Sequence, residues 1–304
     1  MPMYTPTKCL LAKCLLAAGM VLAATAAQAQ NLLPEIPGPE YGKLLATGGL
    51  SNLEGAGGGG LASWATITGY GTRDGFGGDL HYTYVNLPRY TLHTEGAAFG
   101  LGDRVELSYA HQYFDTGATG QLFGLGKGYA FQQDIYAAKV RLFGNVVYDQ
   151  DSLLPQVSAG VMFKSNSNGP VIKALGAQNN QGVDYYLAFT KLFLDQSLIV
   201  NATVRATKAN ELGILGFGGP KGKGYTAQFE GSVGYLLTRN IAFGGEYRTM
   251  PSNLAFSKSS DWKDVFATYF INKNASITLA YANLGTVATF KNQQGVYVSA
   301  KVGF

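Results

Sequence analysis

Apolar and polar residues alternate with period two over much of the chain. At 104–113, Val105, Leu107, Tyr109, His111 and Tyr113 share one face, and Arg104, Glu106, Ser108, Ala110 and Gln112 share the other. Leu198, Val200, Ala202 and Val204 oppose Asn201, Thr203 and Arg205. Ala227, Phe229, Val233 and Tyr235 oppose Gln228, Glu230 and Ser232, while Ile241, Phe243 and Tyr247 oppose Glu246 and Arg248. Such alternation predicts strands with one apolar and one polar face. Less regular strands are expected at 61–71, 77–87, 90–101, 130–143, 154–165, 182–193, 262–271, 275–284 and 295–304, which makes thirteen. A fourteenth at 45–54 would complete an even number, as single-chain outer-membrane barrels have; twelve is the alternative.

Long polar or Gly-rich connections at 115–128, 166–181, 208–223, 250–261 and 285–294 are separated by short turns around Asp103, Asp195-Gln196, Arg239-Asn240 and 272–274. Residues 145–152 are of middle length. Short turns on one side and long loops on the other predict an all-β, transmembrane antiparallel β-barrel of outer-membrane type, short turns toward the periplasm. Backbone amides and carbonyls find no partners in lipid, so a sheet there must close. A large soluble β-sandwich is the competing architecture.

With apolar faces toward lipid, nine charged residues line the interior: Arg104, Glu106, Lys139, Arg141, Arg205, Glu230, Glu246, Arg248 and Lys301. Six are basic, so a water-filled path would weakly favour anions. The same residues could instead pair across the lumen and seal a structural barrel.

The ends carry their own signals. Lys8 and Lys13 precede an apolar stretch at 15–24 that ends in Ala27-Gln28-Ala29, the three parts of a secretory signal peptide cleaved after Ala29. Residues 30–43, with Pro34, Pro37 and Pro39, read as a periplasmic lead-in, and 44–304 as the barrel. The last strand puts Val296, Val298, Ala300, Val302 and Phe304 on one face. A terminal aromatic on such a strand resembles the assembly signal of outer-membrane proteins, which makes Phe304 the candidate.

Composition narrows the classes. Of 304 residues, 41 are Gly, 19 Tyr and 17 Phe, and only 14% are charged. Disorder is excluded by the apolar and aromatic content. No later apolar run is long enough for a transmembrane helix. Cys9 and Cys14 lie in the signal, so the mature chain has no disulfide. Net charge is +4, and loss of Lys8 and Lys13 leaves +2, which gives no case for nucleic acid.

Several stretches then form a recognisable set: Leu44-Leu45-Ala46-Thr47-Gly48-Gly49, Glu54-Gly55-Ala56-Gly57-Gly58-Gly59-Gly60-Leu61, Trp64-Ala65, Gly69-Tyr70-Gly71-Thr72, Asp103-Arg104-Val105-Glu106-Leu107-Ser108, Tyr148-Asp149-Gln150-Asp151-Ser152 and Leu215-Gly216-Phe217-Gly218-Gly219. Together they resemble a proteobacterial family known as domain of unknown function number three thousand and thirty-four, over 44–304. The resemblance implies a secreted β-barrel and brings no activity or catalytic residues.

The remaining motifs carry little chemistry. Residues 55–60 contain the letters of a dinucleotide fingerprint, but a Thr-, Trp- and Tyr-containing strand follows where a helix is required. Their glycines suit tight bending, or a partial plug formed by 45–60 inside the barrel. Lys221 and Lys223 lie in an exposed basic loop and could meet lipopolysaccharide phosphates by charge. His81, His93 and His111 show no metal spacing, and His93 with Glu95 gives two ligands at most. His111 near Ser108 or Tyr109 is the one seed of a hydrolase site. The expected function is a passive channel or uptake protein for small solutes. The alternatives are an enzyme acting on lipid or lipopolysaccharide, or a closed structural or surface-binding barrel. Expected partners are outer-membrane lipid, lipopolysaccharide and the barrel-assembly machinery, with no cofactor and no metal.

Overall fold

A computed structural model describes Lys43 and residues 49–304. The signal segment, nearly all of the lead-in and 44–48 lie outside the described residues. Two short strands come first, β1 (Leu50–Ser51) and β2 (Gly57–Gly58). Twelve long strands follow: β3 (Phe76–Asn86), β4 (Thr91–Leu101), β5 (Val105–Asp115), β6 (Ala130–Phe143), β7 (Gln156–Asn166), β8 (Gln181–Phe193), β9 (Leu198–Thr207), β10 (Thr226–Thr238), β11 (Ile241–Arg248), β12 (Trp262–Phe270), β13 (Ala275–Asn283) and β14 (Gln294–Gly303). These twelve form a closed antiparallel barrel in which each strand pairs with its sequence neighbours and β14 closes on β3.

Exposure settles which face points out. On β10, Val233 is 48% exposed while Glu230 is 0% and Ser232 is 5%. Leu80, Tyr136, Phe163, Tyr185, Val265 and Val298 are exposed in the same way on other strands. A continuous outer belt of large apolar side chains matches lipid and not water. Tyr82, His93, Tyr84 and Tyr113 stack toward the loop-bearing rim, as aromatic groups do at a lipid–water boundary.

The count of fourteen is corrected to twelve. Residues 49–54 and 61–71 are not wall strands. Instead 50–69 are buried throughout and bond to inward side chains from most of the wall strands. The segment needs no ladder to the wall, because those side chains and its own β1–β2 pairing satisfy its backbone groups. Its glycines set the path: a Cβ on Gly59 would stand 1.9 Å from Glu246 Oε1, and one on Gly58 would stand 2.3 Å from the Ala62 carbonyl oxygen. The expected partial plug thus holds for 50–60, extends to 69, and for 45–48 lies outside the described residues.

Long connections gather at one rim and, with the turn at 144–155 as the longest exception, short turns gather at the other, beside Phe304. The long-loop rim is capped. Leu212, Ile214 and Leu215 fold inward from the loop after β9 and pack with Ile172, Leu254, Val287 and Tyr90. Ile172 belongs to a short helix, α2 (Gly169–Ala174), which follows α1 (Thr119–Leu122) in the same rim. Among the described residues no helix is long and apolar enough to cross a membrane.

Candidate functional site: the filled lumen

Side-chain parity carries the lumenal charges inward. Glu106, Lys139, Arg205, Glu230, Glu246 and Arg248 are all buried inside the barrel. Lys301 lies deep at the Phe304 rim, where its Nζ bonds to the Gly49 carbonyl at 2.9 Å and meets Asp79 at 3.2 Å. Arg141 sits at the same rim and pairs with Asp103 at 2.7 Å. Arg104 is the exception and its lumenal assignment is corrected. β5 begins at Val105, which leaves Arg104 in the preceding turn, exposed.

Wall carboxylates capture the backbone of the inner segment. Glu106 Oε1 accepts from the Gly57 amide at 2.9 Å and Oε2 from the Thr68 amide at 2.8 Å. Glu230 accepts from the Ser63 amide at 2.8 Å, and Glu246 from the Leu61 amide at 2.7 Å. Wall cations and amides take the carbonyls: Lys139 donates to Gly57 at 2.9 Å, and Gln156 donates to Ala65 at 2.6 Å. The Trp64 indole donates to Ser232 Oγ at 2.7 Å.

Glu54 is the centre of the charges. This inner-segment carboxylate pairs with Lys164, with Arg205 at 3.2 Å and with Arg248 at 2.7 Å. Arg205 also binds Glu230 at 2.5 Å, and its guanidinium lies 5.1 Å over the Tyr186 ring. Lys164 reaches Asp184 at 2.6 Å. Charges this deep persist only when paired and hydrogen-bonded.

Glu54, Asp79, Lys164, Asp184 and Asp264 were missed as lumenal residues. Four of them sit at inward positions of strands whose alternation is weak, and extending the parity along those strands would find them. Glu54 lies in the Gly-rich stretch and shows no period. With them included, seven carboxylates face five cations inside the barrel. The basic excess read from nine residues therefore does not describe the filled lumen.

The histidines separate cleanly. His111 bonds to Asp134 at 2.9 Å on the outer face, and Tyr109 donates to the same carboxylate at 2.8 Å. Ser108 has the opposite parity and points inward, so the expected His111–Ser108 pair does not form. Ser165, opposite Asp134 in register, accepts from Gln181 at 3.0 Å instead. His93 bonds to the Tyr82 hydroxyl at 2.6 Å, and His81 lies 3.6 Å from Asp79 inside. Among the described residues no three His, Cys, Asp or Glu side chains are grouped to hold a metal ion. Lys221 and Lys223 are both exposed on the long-loop rim, and Lys221 donates to the Ser257 carbonyl at 3.0 Å.

In the cap, Glu211 Oε1 accepts from Ser259 at 2.7 Å and from the Ala288 amide at 3.0 Å, while Oε2 has no partner. Burial pushes its carboxyl above the ordinary value, against the opposing effect of those two bonds.

Comparisons with known proteins place the chain by family. Among solved structures, the KdgM porin is similar at 12% identity and a TM-score of 0.49, over 74% of this chain and 99% of that one. Omp33 of Acinetobacter baumannii is similar at 9% identity and a TM-score of 0.45, over 75% and 98%. The outer membrane phospholipase A from Escherichia coli is similar at 10% identity and a TM-score of 0.42, over 78% and 94%. No curated protein matches the chain. The profile of a family described as "Protein of unknown function (DUF3034)" matches residues 47–301, and the chain belongs to that family.

Proposed function

We propose that the protein is a passive conduit for small solutes in the outer membrane of a Gram-negative bacterium, held closed by its own residues 49–70. One observation carries this reading: polar and ionic side chains of the wall, Glu106, Glu230, Glu246, Lys139 and Gln156 among them, bind the backbone of the inner segment, beside the apolar contacts of its Leu50, Leu53 and Leu61. An apolar interior of similar volume would seal a barrel at no lower stability. A polar interface has a different property. Water can replace its bonds when the segment shifts, so closure is reversible. Any ion preference belongs to the Phe304 rim, where Lys43, Arg73, Arg104 and Arg141 surround the single carboxylate Asp103. That rim favours anions; the interior, with seven carboxylates against five cations, does not.

In this reading the chain is exported by its N-terminal signal and cut after Ala29. It is inserted by the barrel-assembly machinery with Phe304 as the signal, and faces lipid and lipopolysaccharide. No enzymatic role is invoked, because the His111–Asp134 pair has no serine bonded to it. A closed structural barrel is the second reading, favoured by the apolar cap over the long-loop rim.

Planar-bilayer recording of the folded protein separates the two. Glu54→Ala frees Lys164, Arg205 and Arg248 from their shared partner and should increase the frequency of discrete conductance steps. A cysteine pair at Ala65 and Ser158, whose hydroxyl bonds to the Ala65 carbonyl at 2.6 Å, should silence those steps when oxidised. If folded Glu54→Ala protein stays silent, the conduit is ruled out and the closed barrel stands.

A further inference from the structure

The lumen is apolar beneath the long-loop cap and again at the opposite rim. At the Phe304 rim, Leu192, Ile199, Leu236, Ala242, Phe266 and Phe270 all occupy inward positions. They line a cavity of about 280 Å³, closed on its inner side by Leu50 and Trp64 of the inner segment. Ligand pockets begin at about this size, roughly 300 Å³. Apolar side chains on inward positions leave that stretch of wall with apolar residues on both faces, a pattern that membrane insertion alone does not require.

A second cavity lies beside it. It measures about 570 Å³ and is lined by Lys43, Arg73, Arg104, Arg141 and Asp103, four cations against one carboxylate. The two share Thr66 and Val146 in their linings, so the apolar chamber and the basic vestibule meet there. Thr66 is 3% exposed, and its hydroxyl has no hydrogen-bond partner. A buried hydroxyl without a partner is costly, and a ligand group at that junction would relieve it.

We propose that these two cavities form one binding site for a single-chain anionic amphiphile, its acyl chain in the apolar chamber and its anionic head among the arginines of the vestibule, with Thr66 bonding the head at the junction. Each half of the ligand meets the matching half of the site. An uncharged hydrocarbon would leave Thr66 and the cations unmatched, and a small hydrophilic anion would leave the chamber empty. The site faces the rim assigned to the periplasm, so the ligand enters from that side. It does not depend on whether the barrel conducts.

The test uses the full mature chain in phosphatidylcholine nanodiscs. The protein has two tryptophans, and Trp262→Phe leaves Trp64, enclosed in the barrel beside the chamber, as the only emitter. The probe is 12-bromododecanoate, whose bromine quenches only on close approach. Bromine dissolved in the surrounding bilayer does not reach Trp64. Quenching should saturate. Arg73→Glu with Arg104→Glu, both in exposed turns, should raise the half-saturating concentration about tenfold. Ala242→Phe, which fills the chamber, should abolish quenching. Uncharged 1-bromododecane should quench more weakly than the acid and be indifferent to the arginine pair. The proposal is overturned if quenching is absent or unsaturable, if it survives Ala242→Phe, or if the arginine pair leaves it unchanged. Should Ala242→Phe fail to assemble, the exposed arginine pair decides alone.

Discussion

Arg248 of the barrel wall and Glu54 of the inner segment, 194 residues apart in sequence, meet at 2.7 Å, both buried. The contact joins two parts of the chain that no local rule pairs. It fixes the segment against β11, and through Arg205 and Lys164 the same carboxylate reaches β9 and β7. One side chain therefore ties the filling of the barrel to three strands of its wall.

Removing that carboxylate leaves three buried cations without their common partner. Breaking a buried pair from one side costs about 3–5 kcal/mol. Glu54→Ala should lower the stability of the folded protein by about that amount, read from urea unfolding in detergent micelles. A loss below about 1 kcal/mol would show that water already reaches the cations.

Val233 tests the outer face. Its side chain is on the lipid side of β10, between the inward Ser232 and Gly234. Val233→Arg should cost about 2–4 kcal/mol and reduce folding into lipid vesicles. Ser232→Ala removes only the acceptor of the Trp64 indole and should leave insertion intact while costing about 1–3 kcal/mol. Equal insertion by both variants would reverse the assignment of inside and outside.

Phe304 has two separable roles. Its carbonyl accepts from the Tyr70 and Gly78 amides, each at 3.0 Å, which holds the exit of the inner segment to β3. Its ring packs edge-on against Phe76 at 6.3 Å. Phe304→Ala keeps the carbonyl and removes the ring, whereas deletion removes both. If the ring is the assembly signal, the two variants should show the same loss of inserted protein in cell membranes. If only deletion lowers the amount, the backbone bonds matter and the signal role is lost.

Glu211 makes the cap sensitive to pH. Burial raises its carboxyl above the ordinary value of 4.5, so the folded cap holds the proton more tightly than the unfolded chain. The stability from that protonated form is complete below about pH 4.5 and is lost as pH rises through the folded value. Amide hydrogen exchange in the loop after β9 should therefore quicken with pH beyond the intrinsic rate. Glu211→Gln keeps an oxygen for Ser259 and Ala288 and should remove the excess. An unchanged excess in that variant would place the titrating group elsewhere.

The twelve wall strands were legible because lipid on one side and polar filling on the other force period two onto them. Residues 130–143 carry the expected boundaries to the residue. The two additional strands failed for one reason. Residues 45–54 and 61–71 contain Leu, Ala, Trp and Ile at intervals that a strand also allows, and composition does not distinguish a wall from what fills it. The site divided along the same line. Six of the nine residues assigned to the lumen are buried there because parity alone decides their direction. Arg104 was misplaced because a strand boundary shifted by one residue. Asp79, Asp184 and Asp264 were overlooked because their strands alternate less regularly.

By itself the sequence determined that this chain makes strands with one apolar and one polar face, since a two-residue period is a local property; exposure in the folded barrel put the apolar face outside. It also determined which rim bears the long loops, since connection length is read directly. Only the tertiary structure decided that the barrel is full, that Glu54 seats the inner segment, and that an apolar chamber adjoins a basic vestibule. Those features are contacts between residues far apart in the chain, and nothing in a local period records which distant side chain will supply the partner for a buried backbone group or charge.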